Sequence, residues 1–263
     1  MKKLLITTAK TLFYFIGWAL LAGLIPLPDA ESPAIWRFWA ELIPFLCIVG
    51  ISLLFWLIEK RKIQIFPICH VAKDCVIGIL GGAVWLGLTF LIMLFLGVLK
   101  VESSNAVSLL WLWIFSVFIN TVMQELLVRG YLYQMIKVNY NVTAATIISS
   151  ALFTFMHGGA FEAGIIPVLN VLSMSLLMTV ILEYTQSLLA PIIMHFFWNT
   201  VGAIILGGVS LAEDYPHVLT TVFSGSAFLS GGIYKMEGSI VVLFLNLILI
   251  AVFMVLHTKK RKA

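Results

Sequence analysis

Residues 238–257 read GSIVVLFLNLILIAVFMVLH, and the charged residues Lys259, Lys260, Arg261 and Lys262 arrive only after the run has ended. Roughly 20 such residues, wound as an α-helix, rise about 30 Å, the thickness of a bilayer's hydrocarbon core. The run is continuous and lacks the two-residue alternation of an outer-membrane barrel strand, so it reads as a helix. Seven comparable runs precede it, at 11–27, 39–58, 76–99, 106–136, 142–160, 164–184 and 187–208. Composition agrees. Of 263 residues, 62% are hydrophobic and only 11% charged, and mean hydropathy is +1.09. A soluble domain carries about 25% charged residues, so this chain cannot wet a globular surface. The fold class implied is all-α, a polytopic membrane helix bundle of about eight transmembrane helices forming one integral domain over 1–263. Intrinsic disorder and a disulfide-stapled secreted module are excluded. Cys47, Cys69 and Cys75 are odd in number and have no metal-ligand spacing.

Lys and Arg set the orientation. With the N-terminus in the cytoplasm, Lys2, Lys3, Lys10, Lys60, Arg61, Lys62, Lys73, Lys137 and the Lys259–Lys262 cluster, twelve in all, lie inside. Arg37, Lys100 and Lys235 lie outside, and Arg129 falls within a span. The asymmetry predicts a multi-pass cell-membrane protein with both termini cytoplasmic. Because the basic residues sit at segment ends, the net charge of +4 is no nucleic-acid signal; the expected partners are the lipid bilayer and a membrane-associated substrate. The first run is long for a signal peptide, and Leu27-Pro28-Asp29-Ala30 makes a poor cleavage site, so it is read as a span. Segment 209–237 reads as an extracytoplasmic loop that partly re-enters the interface. No internal repeat supports an inverted-repeat transporter.

Ionisable residues inside spans are expensive and tend to mark function. Here they are Glu125 and Arg129 within 106–136, His157 at the close of 142–160, and His195 early in 187–208. Asn199, Asn120, Gln124 and Asn170 are further polar candidates. Glu125 and Arg129 are four apart, so they share a helix face with the acid N-terminal to the base, the better order. Phe153 with His157, and His195 with Asn199, repeat that spacing. Counted from the cytoplasmic ends, Glu125, His157 and His195 lie about 18, 24 and 14 Å deep. Helix tilt near 20° absorbs that spread, so one shared cavity is compatible with the counts. Taken singly, each residue is also explained as an interhelical hydrogen bond or a structural ion pair.

Together the residues resemble a known family. Gln124-Glu125-Leu126-Leu127-Val128-Arg129-Gly130-Tyr131-Leu132 resembles the first motif, Glu-Glu-x-x-x-Arg, of the CPBP family, the CAAX-protease and bacteriocin-processing (Abi) intramembrane proteases. Phe153 and His157 match its Phe-x-x-x-His, and His195 and Asn199 its His-x-x-x-Asn, preceded by Ser187-Leu188 and Pro191. The resembling core covers about 106–208. The resemblance implies an intramembrane glutamate-dependent endopeptidase in which the first Glu and the second motif's His activate water, while the third motif's His and Asn bind the oxyanion. One position departs. The family's first Glu is Gln124 here, which cannot ionise and can only orient a water as donor or acceptor.

The expected catalytic set is therefore Glu125, His157, His195 and Asn199, with Gln124 and Arg129 in support. Glu125 takes the base role, and His195 and Asn199, one turn apart, aim two donors at one oxygen. The resemblance implies no cofactor. Glu125, His157 and His195 nonetheless offer the ligand types of a His₂Glu zinc site, although no H-E-x-x-H helix is present. Two other functions compete: a non-catalytic member serving bacteriocin self-immunity or as a membrane scaffold, and a small transporter. The compact loops and Lys-rich ends look bacterial.

Overall fold

The computed structural model describes residues 2–209 and 215–262. Residues 210–214, part of the expected 209–237 loop, lie outside the described residues, as do both terminal residues. In chain order the elements are α1 (Lys2–Leu24), α2 (Pro33–Ile58), α3 (Val71–Phe95), β1 (Leu99–Ser104) and α4 (Leu110–Glu125). A π-helical segment, Leu126–Leu132, links α4 to α5 (Tyr133–Asn139). Then come α6 (Val142–Met156), α7 (Gly158–Ala163), α8 (Ile165–Thr185) and α9 (Leu189–Phe197), which runs into a second π-helical segment, Trp198–Ile205. The series ends with β2 (Leu219–Phe223), α10 (Ala227–Ser230) and α11 (Ile240–Lys262).

The protein is an all-α, multi-pass membrane protein. Among the described residues, six helices are long and apolar enough to cross a bilayer: α1, α2, α3, Leu110–Asn139, α8 and α11. The fifth and seventh apolar runs give shorter helices, Val142–Met156 and Leu189–Ile205. At 15 residues α6 rises only about 22 Å, less than the hydrocarbon core. Among the described residues, six long and two shorter apolar helices thus stand where about eight spans are expected, and the exact count of eight is not confirmed. The run 142–160 is cut at His157, where the backbone leaves helical geometry (φ −93°, ψ 58°).

The chain divides into two compact units, one of Met1–Pro67 with Leu109–Ser149, the other of Ile68–Ser108 with Ser150–Ala263. In the first unit, Ser32 starts α2, its hydroxyl accepting from the Ile35 N–H at 3.4 Å ahead of Pro33 in the first turn. α1 packs on α2 through Tyr14, which is wholly buried. Its hydroxyl lies 2.8 Å from Ser52 Oγ, and its ring meets Phe55 edge-on and Tyr131 at 4.8 Å. Tyr131 in turn donates to Glu59 at 3.0 Å, and Lys10 pairs with the same carboxylate. The span Leu110–Asn139 is 61% buried over its apolar window against 11% for α1, so the helix bearing the first motif is the enclosed one.

In the second unit α3 and α9 approach closely because α3 presents Gly78, Gly81 and Gly82. A Cβ on Gly78 would lie 2.6 Å from Ile193 Cβ and 2.9 Å from the Ala190 carbonyl; one on Gly82 would lie 2.7 Å from Phe197 Cβ. This is the small-residue contact by which membrane helices gain van der Waals packing. Trp85 of α3 stacks on Trp198 at 4.1 Å within the same core. α8 and α11 are joined by Asn246, which donates to Ser173 Oγ at 2.8 Å. The stretch 209–237, expected to be a loop that partly re-enters the interface, contains β2, which pairs antiparallel with β1, Leu99 opposite Phe223, with a bulge between Val101 and Ser103.

Candidate functional site

The first unit holds Gln124, Glu125 and Arg129. Glu125 is the last residue of α4, and the next seven residues are π-helical. Single π turns inside α-helices cluster at functional sites. Glu125 and Arg129 are both fully buried, and Arg129 Nη1 donates to Glu125 Oε1 at 2.9 Å and to Oε2 at 2.8 Å. The expected shared face thus survives the change of helix type. Gly130 departs from helical geometry (ψ −109°), and a Cβ there would stand 2.9 Å from the Ile65 carbonyl oxygen. The glycine lets the chain bend past that backbone. The amide nitrogen of Gln124, Nε2, donates to Asn120 Oδ1 at 2.7 Å, and Asn120 Nδ2 donates to Glu41 Oε2 at 2.6 Å. Arg37 Nε lies 3.1 Å from the other Glu41 oxygen.

The second unit holds His157, His195 and Asn199. His157 is half-buried at the break between α6 and α7. Its Nδ1 lies 2.8 Å from the Phe153 carbonyl oxygen. A carbonyl can only accept, so Nδ1 carries the hydrogen and, in the neutral ring, Nε2 carries the lone pair. The bond between these two positions is therefore a side chain folded back onto the helix end, where four-residue spacing alone implied an unbroken helix. His195 is 2% exposed and stands edge-on to Phe153 at 5.9 Å, while His157 packs on the same ring at 4.4 Å. Phe153 is thus the spacer that gathers both imidazoles. Asn199 follows His195 by one turn, in the second π-helical segment.

Several contributors were not singled out by sequence. Glu41 sits near the start of an apolar run and looked like a span-end charge; its spacing of four from Arg37 was the available signal. The Gly78-x-x-x-Gly82 pattern was a second such signal. Among the described residues, no three His, Cys, Asp or Glu side chains are grouped so as to hold a metal ion.

A family model described as type II CAAX prenyl endopeptidase Rce1-like matches residues 106–201. The matched stretch carries all three motifs that resemble the CPBP family. Comparison with curated proteins and with solved structures gave no match.

Proposed function

We propose that the chain is an intramembrane endopeptidase that uses Glu125 to hydrolyse a peptide bond in a membrane-associated peptide or protein. The observation that carries this is the Glu125–Arg129 pair, a buried carboxylate chelated at 2.8–2.9 Å where the helix leaves α geometry, within the Rce1-like stretch. Glu125, with His157 Nε2 as partner, takes a proton from water, and the water oxygen bonds to the carbonyl carbon. The oxyanion formed accepts hydrogen bonds from His195 and the Asn199 amide. The C–N bond then breaks as the departing nitrogen receives the proton. The Lys-rich ends support a bacterial cell-membrane protein with both termini cytoplasmic.

The test uses purified protein with two fluorogenic probes, a prenylated CAAX-type peptide and a transmembrane-segment peptide, alongside a comparison of membrane proteomes from wild-type and Glu125→Gln cells. Wild type cleaves, strong chelators leave the rate unchanged, and Glu125→Gln inserts but is inactive. Cleavage that persists in both Glu125→Gln and His157→Ala overturns the mechanism. Loss on chelation with recovery on Zn²⁺ establishes the metal alternative. Gln124 favours a second reading, a non-catalytic immunity factor; protection against a bacteriocin with no cleavage in any variant establishes it.

A further inference from the structure

The row Arg37, Glu41, Asn120, Gln124 settles which end of the Gln124 amide faces Asn120. Glu41 is 5% exposed and, as the ion-pair partner of Arg37, offers acceptors only. Asn120 must therefore turn its NH₂ toward Glu41, as the 2.6 Å contact has it. Its Oδ1 is then left facing Gln124 and can only accept, so Gln124 must turn its own NH₂ inward, as the 2.7 Å contact has it. One end of the chain thus dictates the other. What remains is Gln124 Oε1, which is buried and accepts from no described residue. Buried acceptors in native proteins are nearly always satisfied, so this oxygen is an acceptor awaiting a donor.

We propose that Glu41, acting through Asn120, locks Gln124 with its carbonyl oxygen turned away from Asn120, so that Gln124 orients the attacking water by accepting one of its hydrogens. This rests on the hydrolase function proposed above. Gln124 then offers the water an acceptor without acting as a base, and the carboxylate that fixes it, Glu41, stands two hydrogen bonds away. Glu41 and Asn120 are positioning residues. A carboxylate at both ends is incompatible with one Asn between them, because Asn120 has a single NH₂ end and each carboxylate requires it.

A double-mutant cycle tests the lock without reference to activity. Gln124→Glu sets a carboxylate against Asn120 Oδ1 and should lower the midpoint of thermal unfolding in detergent by roughly 2–8 °C. In the Glu41→Gln background the chain can reverse, the new amide donating to Asn120 and Asn120 to the new carboxylate, so most of that loss should vanish. In the Asn120→Ala background the coupling between positions 41 and 124 should disappear. Equal losses from Gln124→Glu in all three backgrounds overturn the lock, whether or not the protein cleaves anything. The rate arm uses the two fluorogenic peptides: Glu41→Gln should lower kcat at unchanged KM, and add nothing to Gln124→Leu. A wild-type kcat in Glu41→Gln overturns the positioning role. Where Gln124→Glu fails to accumulate, the Asn120→Ala and Gln124→Leu pair replaces it, and additive losses in kcat overturn the proposal.

Discussion

Replacing Gly78 with Ala adds one methyl group to the face of α3 that meets α9. Its Cβ would stand 2.6 Å from Ile193 Cβ and 2.9 Å from the Ala190 carbonyl oxygen. Neither neighbour is the far end of a flexible side chain, so no rotamer change relieves the contact. Ordinary contact begins near 3.4 Å, and α9 must recede by about 0.8 Å because close-packed interiors do not compress. Overpacking of this kind costs about 1–3 kcal/mol, against about 1 kcal/mol gained from Ala's better helix propensity. The expected net loss is up to about 2 kcal/mol, or roughly 4–8 °C in unfolding midpoint. Gly87, on the same helix, has nothing within 4 Å of an added Cβ. Gly87→Ala should therefore gain up to about 1 kcal/mol from propensity alone. Thermal unfolding of the purified variants in one detergent reads both signs. Because His195 lies between Ile193 and Phe197 on α9, Gly78→Ala should also slow cleavage, since a misplacement near 1 Å can cost about 10²-fold. Midpoints that move together for Gly78→Ala and Gly87→Ala would refute the close approach.

Gly130→Ala should destabilise by about 1–3 kcal/mol, because the new Cβ meets the Ile65 backbone oxygen rather than a movable side chain; an unchanged unfolding midpoint speaks against the bend. His195→Ala and Asn199→Ala should each lower the rate on the fluorogenic peptides by about 10²–10³, the loss of one oxyanion donor, and a loss confined to KM assigns them to binding. A cysteine at the exposed Ser224, in a background lacking Cys47, Cys69 and Cys75, should react with an impermeant reagent in intact cells. Protection of that position, with control sites labelled, overturns the cytoplasmic placement of both termini.

The apolar runs were legible because transfer of side chains into hydrocarbon is summed over about 20 residues and tolerates local error. Glu125 and Arg129 were legible for a different reason: an ion pair four residues apart is a property of one helix, set before any tertiary contact. Hydropathy says nothing about backbone phase, so neither π-helical segment nor the stop at His157 could be read from it. The apolar run continues to residue 160, whereas α6 ends at Met156 and the His157 ring turns back to the Phe153 carbonyl. Glu41 escaped notice because its meaning depends on Asn120, 79 residues away. The pairing of β1 with β2 was hidden likewise, since LKVESS is a strand only by virtue of its partner.

The two π-helical segments gain meaning from the medium. In a bilayer every backbone polar group must find its partner within the protein, so a helix that abandons its regular ladder is retained only where other donors take over. Each segment has such donors. In the first unit the Tyr14 hydroxyl reaches the Leu126 carbonyl at 3.5 Å, and Gln134 Nε2 reaches that of Arg129 at 3.4 Å. In the second, the Val218 N–H donates to the Ile204 carbonyl at 2.7 Å and Thr221 Oγ1 to that of Leu206 at 2.9 Å. The ribbon of β1 and β2 therefore does more than join helices, since Thr221 of β2 helps to close the end of the helix that carries His195 and Asn199. Tyr14 stands in the same relation to the helix that carries Glu125 and Arg129. Tyr14, Val218 and Thr221, all outside residues 106–201, thus supply hydrogen bonds to the irregular backbone of the motif helices, and the chemistry proposed for the motifs depends on residues that no motif names.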